Sequence, residues 1–224
     1  MSDEEEVRPA IPARAIRVRL TGWVGLIAVG QLTVLLAMST RYGYHRDEMY
    51  FVVAGSHPAF GYPDQPPLVP LLSSAINAIA PRSLLLLRTP SALVAAVTTV
   101  LAAVIARELG GGPRAQIVAA ACTASSAFAL AVAHLVSTTT FDMLSTTLLG
   151  WLAIRTVVSG SGPSILAAGV VVGLGVEAKP QVGLVAVVML ASLIAVGPRT
   201  AIRSWWALAG AGAAVAIAAP YVIW

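Results

Sequence analysis

Asp47 and Glu48 stand side by side, flanked by His45, Arg46 and Tyr50. Carboxylates and imidazoles exchange protons and hold cations, while lysine and arginine hold anions. Few other groups in the chain can do either. Four of the ten acidic residues lie in the amino-terminal tail, leaving Asp47, Glu48, Asp64, Glu108, Asp142 and Glu177. Lys179 follows Glu177 by two residues, and the histidines are His45, His57 and His134. Each group also has a plainer reading. Asp64 precedes Pro66-Pro67 and could cap a helix that starts with proline. Asp142 follows Ser137-Thr138-Thr139-Thr140 and could sit at the positive end of a helix dipole. Glu177 and Lys179 could form a solvated turn, and Asp47-Glu48 could open a surface helix. The histidines lack the spacing of a zinc site and read as interfacial.

The elements that must position these groups are set by composition. The chain has 224 residues, 58% hydrophobic and 11% charged, with a mean hydropathy of +0.84. A soluble domain carries about 25% charged residues, so the expected class is an all-α polytopic membrane protein. Its single cysteine, Cys122, excludes an intrachain disulfide. A membrane-spanning helix needs about 20 apolar residues. Runs at 21–40, 84–106, 115–134, 141–158, 164–178, 180–196 and 204–224 give seven passes. Pro180 divides the long stretch 164–196, because proline disfavours helical geometry at Lys179 and removes a donor.

Charge bias supports that count. With the amino terminus inside, Arg8, Arg14, Arg17, Arg19, Arg107, Arg114, Arg155, Arg199 and Arg203 are cytoplasmic. Arg41, Arg46, Arg82, Arg88 and Lys179 are outside, the sense expected of the positive-inside rule. Treating 164–196 as one pass would erase the bias. The chain therefore divides into a cytoplasmic tail at 1–20 and a transmembrane module at 21–224.

The first outer loop, 41–83, is too long and too apolar for a plain connection. It reads as two short amphipathic helices at the membrane surface. Tyr42, Tyr44, Tyr50, Phe51, Phe60 and Tyr62 supply an interfacial aromatic belt, and Trp205, Trp206 and Trp224 read as boundary anchors. On this topology Asp47, Glu48, Asp64, Asp142 and Glu177 all gather at the outer face. Ionisable groups at membrane depth mark a functional site by default.

Four segments occur in order: Gly43-Tyr44-His45-Arg46-Asp47-Glu48-Met49-Tyr50, Gly61-Tyr62-Pro63-Asp64-Gln65-Pro66-Pro67-Leu68, Thr139-Thr140-Phe141-Asp142, and Gly173-Leu174-Gly175-Val176-Glu177-Ala178-Lys179-Pro180. The series resembles the protein-mannosyltransferase-like glycosyltransferases of the GT-C fold, including family 39 and the aminoarabinose transferases. The resemblance implies an inverting transferase in the cell (inner) membrane, acting on its extracytoplasmic face. Its partners would be a polyprenyl-phosphate-linked sugar donor and membrane lipids. The acceptor is left open, and no nucleic acid is implied. Asp47 matches the catalytic base, with Glu48 beside it. Lys179 matches the basic residue expected at the donor phosphate, and Arg88 is a second choice. Asp142, Tyr50 and Tyr62 would support the site. Asp64 matches a carboxylate that helps hold a divalent metal ion in some members. Gln65 departs from the lysine found there in relatives and cannot supply its charge. Members of that family are longer, so 21–224 reads as the amino-terminal conserved module, truncated at its carboxyl end. The alternative is a non-catalytic fragment or a polyprenyl-sugar transporter, whose charges would sit nearer the membrane midplane.

Overall fold

A computed structural model describes residues 19–197 and 203–224, so Arg8, Arg14, Arg17 and Arg199 of the charge count lie outside the described residues. Within them the chain forms α1 (Gly22–Met38), α2 (Arg46–Gly55), α3 (Leu68–Ile79), α4 (Leu84–Glu108) and α5 (Pro113–Ala124). It continues through α6 (Ala127–Ala133), α7 (Thr138–Ser159), α8 (Gly162–Ala178), α9 (Gln181–Val196) and α10 (Trp205–Ile223). There is no strand among the described residues.

A helix or a bent helix pair occupies each of the seven expected apolar runs. Three of them, α4, α7 and α10, are long and apolar enough to cross a bilayer. The pair α5 and α6 makes a fourth if it is one bent span. The remaining apolar helices α1, α8 and α9 have 17, 17 and 16 residues. The 25 residues of α4 rise about 37 Å, more than a hydrocarbon core of about 30 Å.

Side-chain contacts show that these helices alternate between two ends. At the end carrying the 41–83 loop, the Tyr42 hydroxyl donates to the His134 carbonyl (2.6 Å) and Lys179 Nζ donates to Thr139 Oγ1 (3.2 Å). At the opposite end, the Thr21 N–H donates to Gln116 Oε1 (3.1 Å), and Arg155 pairs with Glu108 (3.9 Å). Trp206 lies there too, against Gly162.

Small residues set the packing. On α4, Ala92 and Ala95 meet Leu35 of α1 and Ala133 of α6, and Ala103 meets Val24 and Ala120. Helix α8 lies between α7 and α10. Gly169 and Gly173 form a G-x-x-x-G face against α10, where Gly169 meets the Gly210 backbone and Gly173 meets Ile217. Without side chains between them, two helices approach closely enough for backbone-level van der Waals contact. Lys179 adopts the extended conformation (φ −160°, ψ 122°) that the following proline favours. Beyond it α9 leaves the bundle, exposing Leu184, Val187, Val188, Leu190 and Ile194.

The run 115–134 is not one helix. It breaks at Ser125 and Ser126, and its halves meet at a bend of 53°. Thr123 and Ser125 hydroxyls donate back to the carbonyls of Ala119 and Ala121, a pattern that bends helices. Gln31 of α1 reaches the Ala124 carbonyl at 3.5 Å and accepts from Thr99 of α4 at 2.7 Å. Neither Gly nor Pro marks this break.

Candidate functional site

Helix α2 separates the acid pair. Successive helical residues point about 100° apart, so Asp47 and Glu48 cannot share a face. Glu48, Phe51 and Gly55 form the buried side. Phe51 packs with Val69 of α3, Leu87 of α4 and Val136, so it belongs to the core and not to the surface aromatic belt. Asp47 faces outward with its side chain 46% exposed.

Glu48 and Arg88 form an ion pair with exposures of 0% and 1%. Arg88 Nε and one terminal nitrogen donate to the two Glu48 oxygens, each at 2.7 Å. The guanidinium also donates to the carbonyls of Ser39 and Gly43, and the Tyr42 ring stacks 4.2 Å from it. Glu48 accepts two further bonds, from the N–H of His45 (2.9 Å) and of Val136 (3.1 Å). One pair thus ties the end of α1, the start of α2, α4 and the α6–α7 turn. This geometry bears on two expectations. Glu48 is not a second open acid beside Asp47, and Arg88 has its charge engaged inside the protein.

Burial pushes the Glu48 carboxyl up, but the bonds from Arg88, His45 and Val136 outweigh it and hold the group below the usual carboxylate range. A depressed carboxylate stabilises the folded state in full above its unfolded value of about 4.3. That contribution is lost as pH falls from there through the depressed value. Resistance of the 41–83 loop to proteolysis is therefore expected to decline on acidification below about pH 4. Glu48→Gln should be weaker throughout and should lack that acid decline.

The exposed side of α2 carries Asp47 and, one turn on, Tyr50. The Tyr50 hydroxyl donates to Asp64 Oδ1, which holds the phenol up at about 12. Asp64 therefore bridges the loop and does not cap a helix; the N-cap of α3 is Pro67. Tyr62 and Gln65 exchange backbone hydrogen bonds (2.9 and 3.3 Å) around Asp64, and the Tyr62 hydroxyl donates to the His57 carbonyl at 3.2 Å. Gly61 is pressed against Tyr221 and Trp224, where a Cβ would meet both rings at 3.0 Å. Phe60 and Trp224 complete that contact edge to face, at 6.4 Å between centroids.

Across the α6–α7 turn, Asp142 lies one turn inside α7, whose cap is Ser137. It is 7% exposed, within electrostatic reach of Lys179, and its Oδ1 has no hydrogen-bond partner among the described residues. Lys179 is held by Thr139, while Glu177, at the end of α8, has a buried Oε1 with no hydrogen-bond partner among the described residues. The loop half and the lysine half of the site are thus anchored three residues apart, at Val136 and Thr139.

A family model described as dolichyl-phosphate-mannose-protein mannosyltransferase matches residues 64–224, well over half of the chain. The chain belongs to the dolichyl-phosphate-mannose-protein mannosyltransferase family. Membership makes it a membrane glycosyltransferase by family. The family match opens at Asp64 and takes in Asp142 and Lys179, while Asp47 and Glu48 precede it. No curated protein and no solved structure matches the chain. Asp64 is occupied by Tyr50, and no group of three or more His, Cys, Asp or Glu among the described residues could hold a metal.

Sequence reasoning missed the Glu48–Arg88 pair and the glycine face of α8. The second had a signal, the spacing of Gly169 and Gly173. The first had none, because its partners lie 40 residues apart.

Proposed function

We propose that the protein transfers a sugar from a polyprenyl-phosphate-linked donor to an acceptor hydroxyl, with inversion, at the loop end of the bundle. In this reading that end faces the extracytoplasmic side, and the observation that carries the reading is the sorting of charges there. Glu48 and Arg88 neutralise each other in the interior, while Asp47 is left exposed and Lys179 keeps an amine at the same end. The Asp47 carboxylate accepts the proton of the acceptor hydroxyl as its oxygen attacks the anomeric carbon. The bond from that carbon to the phosphate oxygen breaks on the opposite face. The Lys179 ammonium offsets the charge that gathers on the departing phosphate, and its flexible stem suits a compact anion. Asp142, buried behind it, orients the ammonium. Tyr50, Asp64 and Tyr62 hold the shape of the loop around Asp47.

The test uses full-length protein in liposomes with a polyprenyl-phosphate sugar, following the formation of a new glycosidic bond. Lys179→Gln is expected to raise the donor KM about tenfold or more, in line with a hydrogen-bonded charge worth ~1.5–3 kcal/mol, at an unchanged protein level. Movement of the intact donor across the bilayer with no glycosidic product would instead favour a transporter.

A further inference from the structure

Asp47 owes its orientation to its neighbours in the chain. One of them, Arg46, donates to Asp47 Oδ1 at 3.3 Å from a side chain that is 89% exposed. Such a contact orders little, since both groups stay in water. The other is His45, the N-cap of α2, in the extended conformation (φ −77°, ψ 151°) that a cap requires. Its Nδ1 accepts the backbone N–H of Asp47 itself, at 3.3 Å, and lies 3.8 Å from Asp47 Oδ2. In return the His45 N–H donates to Glu48, whose carboxylate is fixed by Arg88. This is a capping box with an imidazole in the place of the usual hydroxyl. Accepting at Nδ1 puts the ring proton of the neutral imidazole on Nε2.

We propose that His45 is the positioning residue for Asp47, fixing the start of α2 through the Asp47 N–H so that the carboxylate is presented at one angle to the reacting hydroxyl. The proposal rests on the reading of Asp47 as the base. Without the cap, the first turn of α2 has only the buried Glu48 to hold it, and Glu48 points the other way. The Asp47 carboxylate then samples several directions, and a displacement of about 1 Å at a reacting group can lower a rate about 100-fold.

The experiment compares His45→Ala, His45→Asn and Asp47→Asn in the full-length protein, measuring kcat, donor KM and Tm in one detergent. Asn is a strong N-cap whose side-chain oxygen can accept the same N–H. His45→Ala is expected to lower kcat about tenfold or more with the donor KM unchanged. His45→Asn should recover most of that loss. The proposal is overturned if His45→Ala keeps the parental kcat, if His45→Asn is as poor as His45→Ala, or if kcat merely follows a fall in Tm. Asp47→Asn separates the two levels of inference. If it retains transfer, the base assignment fails and the role of His45 fails with it. If it abolishes transfer while His45→Ala is fully active, only the positioning role fails.

Discussion

Asp47→Asn is expected to lower sugar transfer about 10²–10⁴-fold, the usual worth of a positioned general base, with the protein present in the membrane at its parental level. Asn has nearly the same shape and is accepted in the first turn of a helix, where Asp47 lies. The side chain is half exposed, and its ion pairs among the described residues are with Arg46 and His45, so little folding energy depends on its charge. What the amide cannot do is take a proton. The loss should therefore fall on kcat, and the donor KM should move little because the proposed mechanism assigns the phosphate to Lys179. Unchanged transfer by Asp47→Asn would remove Asp47 from the mechanism.

Arg88→Met carries the second large expectation, and it concerns folding. Removing one member of a buried ion pair leaves the other charge without compensation, at a cost of about 3–5 kcal/mol. Here the loss also strips hydrogen bonds from the Ser39 and Gly43 carbonyls. The protein should show a much lower Tm in detergent or fail to accumulate. Arg88→Lys should be nearly as harmful, because one ammonium cannot reproduce a planar fork that serves two carboxylate oxygens and two carbonyls. Combining Arg88→Met with Glu48→Met should recover part of the stability, since replacing both charges leaves neither stranded. If Arg88→Lys instead kept its Tm and raised only the donor KM, Arg88 would be a phosphate ligand after all.

The helices were legible in the sequence wherever apolar length and punctuation acted locally. Pro180 set the break at Lys179, where α8 ends. The two loop helices could be read from their apolar spacing. The break at Ser125 and Ser126 was not legible, since it depends on hydroxyls bonding back and on Gln31 arriving from another helix. The site divided the same way. The types Asp47, Asp64, Asp142 and Lys179 stood out because charges are scarce in an apolar chain. Their sorting into exposed and sequestered groups did not, because an acid pair reads alike on paper whichever member faces the core. Only the partners of Glu48, at positions 88 and 136, decide that.

Those two partners lie far apart along the chain. The ribosome delivers Arg88 well before Val136, so the first half of the molecule, through α4, can neutralise its own most costly charge as soon as it enters the bilayer. A lone arginine in hydrocarbon would be strongly disfavoured; one already clasped by Glu48 is a dipole. The carboxylate then still has an acceptor site to offer, and the backbone of the α6–α7 turn takes it when the next helices arrive. Glu48 thus joins the first half of the chain to the second through one carboxylate.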